Sequence, residues 1–294
     1  MQLKGIIPPI VTPMNPDQSI DLDGLRKAID FQIAKKVHGI FVLGTTGEFY
    51  ALDDAEKQAV VAAAVAHVNG RMPVFAGTGA ETTREVIRLT KMAEKEKVQG
   101  VSVITPYFIK PTQPELIDHF KRIAESTSLP VVLYNNPATC GGLSIEPDTV
   151  AKLAEVPNII GIKDSAGDMQ QMLELLKVTN PAKFAVLNGR DTLIRAALTF
   201  GAAGAIPACS NIAPDLCVGL YDAVKSGDAA AAEKFQARIA LLRMAFPLAT
   251  GNGAAKEAMA LLGRPAGPCR APIGPMSVAN REKLKGVLKA AGLP

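Results

Sequence analysis

The run Ile159-Ile160-Gly161-Ile162-Lys163-Asp164 has the length and composition of a strand buried on both faces of a parallel sheet. It ends in a lysine. An ammonium at such a place is stripped of water at a cost, and a free amine held on a rigid strand end is what a Schiff-base enzyme uses. A plainer reading stands beside it: Lys163 marks the point where the strand leaves the core, because lysine is rarely buried.

Similar short apolar runs recur on both sides of this one. They span Gly5 to Ile10, Gly39 to Leu43, Pro73 to Ala76, Gly100 to Ile104, Pro130 to Tyr134, Phe184 to Leu187 and Gly204 to Ile206, which makes eight with the lysine strand. Helical patterns lie between them, as in Leu22 to Val37 and Glu85 to Val98. Asp53 with Glu56, Thr82 with Glu85, and Thr112 with Glu115 have the spacing of capping boxes. Eight strand–helix units without a long linker predict an α/β fold, a closed (β/α)8 TIM barrel over residues 1–227. A doubly wound sheet is the alternative. Residues 228–294 hold helical patterns alone (Ala229 to Phe246, Ala254 to Leu262, Val278 to Ala291) and read as a C-terminal helical domain packed on the barrel. The Gly/Pro-rich stretch Gly263 to Pro275 reads as a linker within it.

Composition narrows the function. The chain has 294 residues, 48% hydrophobic and 20% charged, with a net charge of +4 and 5% aromatics. Its basic residues alternate with acidic ones, as at Glu94-Lys95-Glu96-Lys97, so no nucleic-acid surface is expected. The longest apolar stretch, Ala59 to Val68, is too short for a bilayer, and no membrane partner is expected. From Met1 the chain runs straight into a strand-like segment without the pattern of a signal peptide. Cys140, Cys209, Cys217 and Cys269 form no CxxC and read as reduced thiols of a cytoplasmic protein. His38, His67 and His119 fall in helical patterns far apart, which predicts no metal site.

Chemistry in such a barrel sits at the C-terminal strand ends. Strand two exits into Gly44-Thr45-Thr46-Gly47-Glu48, whose glycines and hydroxyls suit a carboxylate; a tight turn tied back by Glu48 is equally compatible. Strand five ends at Tyr134, followed by Asn135-Asn136-Pro137. A phenol there can relay a proton or simply belong to the core. Strand seven ends at Asn188-Gly189-Arg190-Asp191, which could bind hydroxyls or an anion, or cap a helix. Strand eight leads to Ile206-Pro207 and Ser210-Asn211. Gly77-Thr78-Gly79 lacks the lysine and full glycine fingerprint of a phosphate loop. An amine, a phenol and an anion loop together fit a 2-keto acid.

These residues carry a resemblance. Gly44-Thr45-Thr46-Gly47-Glu48, Thr105-Pro106-Tyr107, Tyr134-Asn135-Asn136-Pro137 and Gly161-Ile162-Lys163-Asp164, in this order and spacing, resemble the dihydrodipicolinate synthase / N-acetylneuraminate lyase family over nearly the whole chain. The resemblance implies a barrel with a C-terminal helical domain, a homotetramer of two tight dimers, and a covalent lysine–pyruvate imine with no other cofactor. It implies Lys163 as the Schiff-base lysine, Tyr134 as proton donor and acceptor, Thr45 in the relay and Thr46 on the keto-acid carboxylate. Ile206 matches a position whose backbone contacts pyruvate. Gly189 and Asp191 match positions that contact the aldehyde half in sugar-acid lyases, a half that Asn136, Thr139 and Ser210 are also expected to line, with Arg190 turned toward it or away.

Two departures steer the expectation. The family's synthases carry an arginine where this chain has Thr139, and a second tyrosine, crossing the dimer interface, where Tyr107 is followed by Phe108. Threonine cannot form a bidentate charged pair and phenylalanine cannot pass a proton. The expectation is therefore an aldolase of the sugar-acid type. It would cleave a 2-keto-3-deoxy sugar acid or related 4-hydroxy-2-oxo acid to pyruvate and an aldehyde. Dihydrodipicolinate synthase and a dehydratase of the same family are the alternatives, and a non-catalytic sensor on the same barrel is the rival from another class.

Overall fold

The computed structural model describes residues 3–294. Met1 and Gln2, the start of the predicted barrel span 1–227, lie outside the described residues. Eight strands alternate with helices: β1 (Gly5–Ile6), α1 (Leu22–Ala34), β2 (Ile40–Val42), α2 (Asp54–Val68), β3 (Val74–Gly77), α3 (Thr83–Lys95), β4 (Gly100–Ile104), α4 (Gln113–Glu125), β5 (Val131–Asn135), α5 (Pro147–Leu153), β6 (Ile159–Asp164), α6 (Met169–Val178), β7 (Ala185–Asn188), α7 (Ile194–Thr199), β8 (Gly204–Ala205) and α8 (Pro214–Ser226). Three helices follow: α9 (Ala229–Met244), α10 (Gly253–Leu261) and α11 (Val278–Ala290).

The strands run β1-β8-β7-β6-β5-β4-β3-β2, every ladder parallel. The ring closes between β1 and β2 through a bridge from Pro9 to Phe41, with the Ile10 N–H on the Phe41 carbonyl at 2.8 Å and the Phe41 N–H on the Pro8 carbonyl at 3.0 Å. This is the predicted (β/α)8 barrel. The first strand is shorter than the predicted Gly5 to Ile10 run because Pro8 and Pro9 have no N–H to give to a ladder.

Strand alternation divides the core in two. Leu3, Ile7, Phe41, Phe75, Val132, Leu187 and Ile206 fill the barrel interior. Their neighbours, such as Ile6, Val131, Leu133 and Ile162, face outward under the helices. That outer cluster also takes in Ala232, Ile239, Leu242, Leu284 and Leu288 of the C-terminal helices, so they share the barrel's core.

Asp53 and Glu56 form a reciprocal capping box at α2, with bonds of 2.9 and 2.8 Å. At Thr82 only half of the predicted box exists. Its hydroxyl accepts the Glu85 N–H at 3.3 Å, but the Glu85 carboxylate turns to Arg88. At α4 the Glu115 carboxylate accepts from both the N–H and the hydroxyl of Thr112, at 2.7 and 2.8 Å. His38 lies in the loop before β2 rather than in a helix, and its Nδ1 accepts the Ile6 N–H at 3.1 Å.

The segment Gly263 to Pro275 corrects its reading as a linker. It is strapped to the barrel: the Ala266 carbonyl accepts the Met14 N–H at 3.1 Å, and Arg270 grips Glu56 with two bonds of 2.6 and 2.7 Å. All four cysteines are buried free thiols. Among the described residues no helix is long and apolar enough to cross a membrane, and no group of three metal-ligating side chains forms.

Candidate active site

A cavity of about 480 Å³ opens at the C-terminal ends of the strands. Its floor is set by register. Tyr134 on β5 pairs with Lys163 on β6, so both side chains point into the barrel side by side. The Lys163 amine sits 4.0 Å from the centre of the Tyr134 ring and 5.5 Å from that of Phe41, which plugs the barrel below. Lys163 is 4% exposed, and among the described residues no carboxylate pairs with it. Of its two readings from sequence, the strand-exit reading therefore fails: the side chain turns inward.

The Tyr134 hydroxyl is a junction. Asn136 Nδ2 donates to it at 3.1 Å, and the Thr45 hydroxyl lies 3.5 Å away. Burial alone would raise the phenol's pKa. The charge of Lys163 and hydrogen bonds with Thr45, Lys163 and Ser165 outweigh burial and hold it below its ordinary value of 10. A buried phenol with a depressed pKa between an amine and a hydroxyl is suited to moving protons.

Thr45 and Thr46 line the cavity from a tight turn, closed by the Gly47 and Glu48 N–H groups on the carbonyls of Gly44 and Thr45 at 2.9 and 3.1 Å. Leu43 and Glu48, on either side, both hold left-handed backbone at φ 56°. Such strain persists where surroundings over-determine it, and here the C-terminal helices do so. Glu48, fully buried, pairs with Lys256 of α10 at 2.6 Å and accepts the Arg270 N–H at 3.0 Å. Asn252 Nδ2 donates to the Thr45 carbonyl at 2.7 Å. The turn reading and the carboxylate-loop reading are thus compatible, with Glu48 tied to the extension rather than to its own loop.

Gly189 leaves room for the site: a Cβ there would stand 2.0 Å from the Ser165 hydroxyl and 3.0 Å from Lys163 Cε, so a side chain at this position would have to displace the serine hydroxyl. Ile206, Gly189, Arg190, Asn136 and Thr139 all line the cavity with the two threonines, the tyrosine and the lysine. Asn136 serves the phenol rather than only the expected aldehyde half. Other expected residues stay out. Asp191 is fully buried below the rim, its carboxylate accepting the Cys209 N–H at 2.9 Å and pairing with Arg243 at 3.4 Å. Ser210 is fully buried and donates to the Pro207 carbonyl at 2.5 Å. Both turn away because the chain after β7 and β8 folds back in 3₁₀ turns. Tyr107 packs on Phe49, with ring centres 6.1 Å apart, and Phe108 is 92% exposed, so neither lines the cavity of its own chain. Thr78 is fully buried and accepts from Thr90, and the Gly77-Thr78-Gly79 turn is not part of the cavity lining.

Sequence reasoning missed Ser165, Arg243 and Asn252, which line the cavity too. Ser165 was detectable: it follows Lys163 by two, the period of a strand face. The other two arrive from the C-terminal helices and carry no local signal.

Against this geometry the sequence matches the dihydrodipicolinate synthetase family over residues 2–291. The chain belongs to that family. It is 39% identical to the 4-hydroxy-tetrahydrodipicolinate synthase of Methanoculleus marisnigri, over 97% of this chain and 98% of the relative. It is 40% identical to the synthase of the same name from Thermodesulfovibrio yellowstonii, over 99% of both. Dihydrodipicolinate synthase from Acinetobacter baumannii, solved with pyruvate, superposes with a TM-score of 0.95 at 36% identity over 99% of each chain. Lysine Schiff-base chemistry defines the family, and the chain is an enzyme of that carbon–carbon lyase class.

The relatives correct the expectation of a sugar-acid type. Full-length similarity lies with synthases. Two substitutions carried too much weight. Phe108 sits outside the cavity of its own chain, and Thr139 does not leave the cavity without a guanidinium, because Arg190 and Arg243 both line it.

Proposed function

We propose that this enzyme condenses pyruvate with aspartate semialdehyde, the reaction of a 4-hydroxy-tetrahydrodipicolinate synthase. Two kinds of support bear on it: the Lys163–Tyr134–Thr45 junction for the pyruvate half, and the full-length similarity to synthases for the other. The similarity carries the choice of second substrate.

The Lys163 amine adds to C2 of pyruvate and water leaves, giving an iminium. Tyr134, with Thr45, moves the protons of that addition, while the Thr46 side of the turn receives the carboxylate. Loss of a C3 proton gives an enamine, whose C3 attacks the aldehyde carbon, and the resulting alkoxide takes a proton. The amine of the semialdehyde then attacks C2, closes the ring and releases Lys163. One water is lost overall and no electrons are exchanged. No cofactor or metal is needed in this scheme, so activity should persist in chelator.

A homotetramer belongs to the proposal, supported by the exposure of the apolar Phe108 and Ile109, and sedimentation measures it. The central experiment is borohydride reduction in the presence of pyruvate, with peptide mass mapping, run beside a condensation assay with aspartate semialdehyde. A stable pyruvyl mass on Lys163 and turnover of the semialdehyde are expected. An unmodified Lys163 peptide, or no turnover by trapped-competent enzyme, overturns the corresponding half.

A further inference from the structure

Three cationic side chains line the cavity: Lys163, Arg190 and Arg243. Lys163 is occupied by the keto acid in the reaction above. Arg243 already has a carboxylate, Asp191 at 3.4 Å, and lies against the Phe246 ring at 4.6 Å. Arg190 differs from both. Among the described residues no carboxylate pairs with it, although it is half-buried at the rim.

Its backbone is fixed in place. The Arg190 N–H donates to Asn188 Oδ1 at 3.0 Å, and its carbonyl accepts the Leu193 N–H at 2.9 Å. It follows Gly189, where an added Cβ would stand 3.0 Å from Lys163 Cε, so the arginine starts one residue from the position that flanks the reacting lysine. Its Nε packs over Gly167, where an added Cβ would stand only 3.4 Å away. A planar cation positioned on a rigid strand end without an internal anion is poised for an external one, and guanidinium matches a carboxylate with two parallel bonds.

We infer that Arg190 is the specificity-determining anchor for a carboxylate on the second, aldehyde substrate. The inference rests on the pyruvate-condensation reading and names the side chain that recognises its second partner. The Thr45–Thr46 turn lies on the opposite arc of the barrel, from β2, and leaves the keto-acid carboxylate to itself. Arg190, from β7, then selects aldehydes that carry their own carboxylate.

The test uses the full-length enzyme at saturating pyruvate, with wild type, Arg190→Gln and Arg190→Lys compared on aspartate semialdehyde, succinic semialdehyde and butanal. Losing a charged bidentate contact should raise KM for both semialdehydes roughly 10- to 100-fold in Arg190→Gln. KM for butanal and the rate of borohydride trapping at Lys163 should stay within about twofold, which also reports an intact fold. Arg190→Lys should recover part of the loss. Semialdehyde KM values within twofold of wild type overturn the inference, as does an equal rise in pyruvate KM or a wild type that favours butanal. A wild type that accepts succinic but not aspartate semialdehyde defeats the proposed function alone, because the arginine effect is then still read on the former.

Discussion

Two lysines are buried among the described residues, and they live in opposite surroundings. Lys256 is 2% exposed and held by Glu48 at 2.6 Å, with the Pro268 carbonyl at 2.8 Å. Lys163 is 4% exposed and faces two aromatic rings, a phenol hydroxyl and a cavity. Lys256 is engaged by a carboxylate at contact distance and closed off from the cavity, whereas Lys163 has no carboxylate partner among the described residues and its amine opens onto the cavity. Burial is therefore no guide to the role of a lysine here; the partner is. The two are also linked, because Lys256 holds Glu48, and Glu48 ends the turn that carries Thr45 beside the Tyr134 hydroxyl.

Replacing each lysine by methionine should break different properties. Lys163→Met should lower condensation on the order of 10⁴-fold or more, since no other amine lines the cavity, with a denaturation midpoint equal to or above wild type. Initial rates and urea melts measure both, and an unstable Lys163→Met would refute the division of roles. Lys256→Met should instead cost about 3–5 kcal/mol of stability, because it strands a fully buried carboxylate. Adding Glu48→Gln should restore part of that loss in a double-mutant cycle, and purely additive losses would show that the pair is not the cause.

A third change sharpens what Lys163 has in place of a carboxylate. Tyr134→Phe should lower kcat by about 10²- to 10⁴-fold, the range for a lost general acid–base, while still permitting slow borohydride trapping. The Tyr134 phenol is held below 10 against the effect of burial by Lys163, Thr45 and Ser165. Thr45→Val should therefore move the basic limb of the kcat profile upward, and an unmoved limb would detach Thr45 from the relay.

How legible this was depended on distance along the chain. Lys163, Tyr134 and Thr45 could be read because strand alternation and barrel topology send successive strand ends to one mouth. Lys256 could not, since its partner lies more than two hundred residues earlier in sequence and α10 is alanine-rich with nothing to mark a buried charge. The strap from Gly263 to Pro275 looked like a linker for a related reason: its bonds to Met14, Glu48 and Glu56 join residues far apart in sequence. Asp191 and Ser210 were misplaced because a residue's position after a strand does not reveal a 3₁₀ turn that folds it under the rim. The type of second substrate was misread from Thr139 and Phe108, which identify what one position lacks, while Arg190 and Arg243 show what the cavity as a whole contains.

The same contrast between paired and unpaired buried charge extends to carboxylates. Asp164, next to Lys163 but turned outward, is held by the Asn135 amide at 2.6 Å and has no cation. Burial pushes its pKa up to about 6, with the Asn135 bond opposing. The folded chain then binds more protons than the unfolded one between about pH 4 and 6, so this group's contribution to stability falls as pH rises across that window. His119 works in the other direction. Burial lowers it to about 4 from 6.5, the folded chain binds fewer protons there, and its contribution rises with pH between about 4 and 6.5. Each term amounts to about 3 kcal/mol, so from these two groups the wild type should be nearly flat. Asp164→Asn keeps the acceptor for Asn135 and should unmask a rise in stability from pH 4 to 6.5. His119→Gln should unmask a fall from pH 4 to 6. Urea melts at half-unit intervals measure both slopes. A flat profile for His119→Gln would mean that the Asn135 amide offsets the burial of the Asp164 carboxylate without any cation, and the contrast between paired and unpaired buried charge would lose its support.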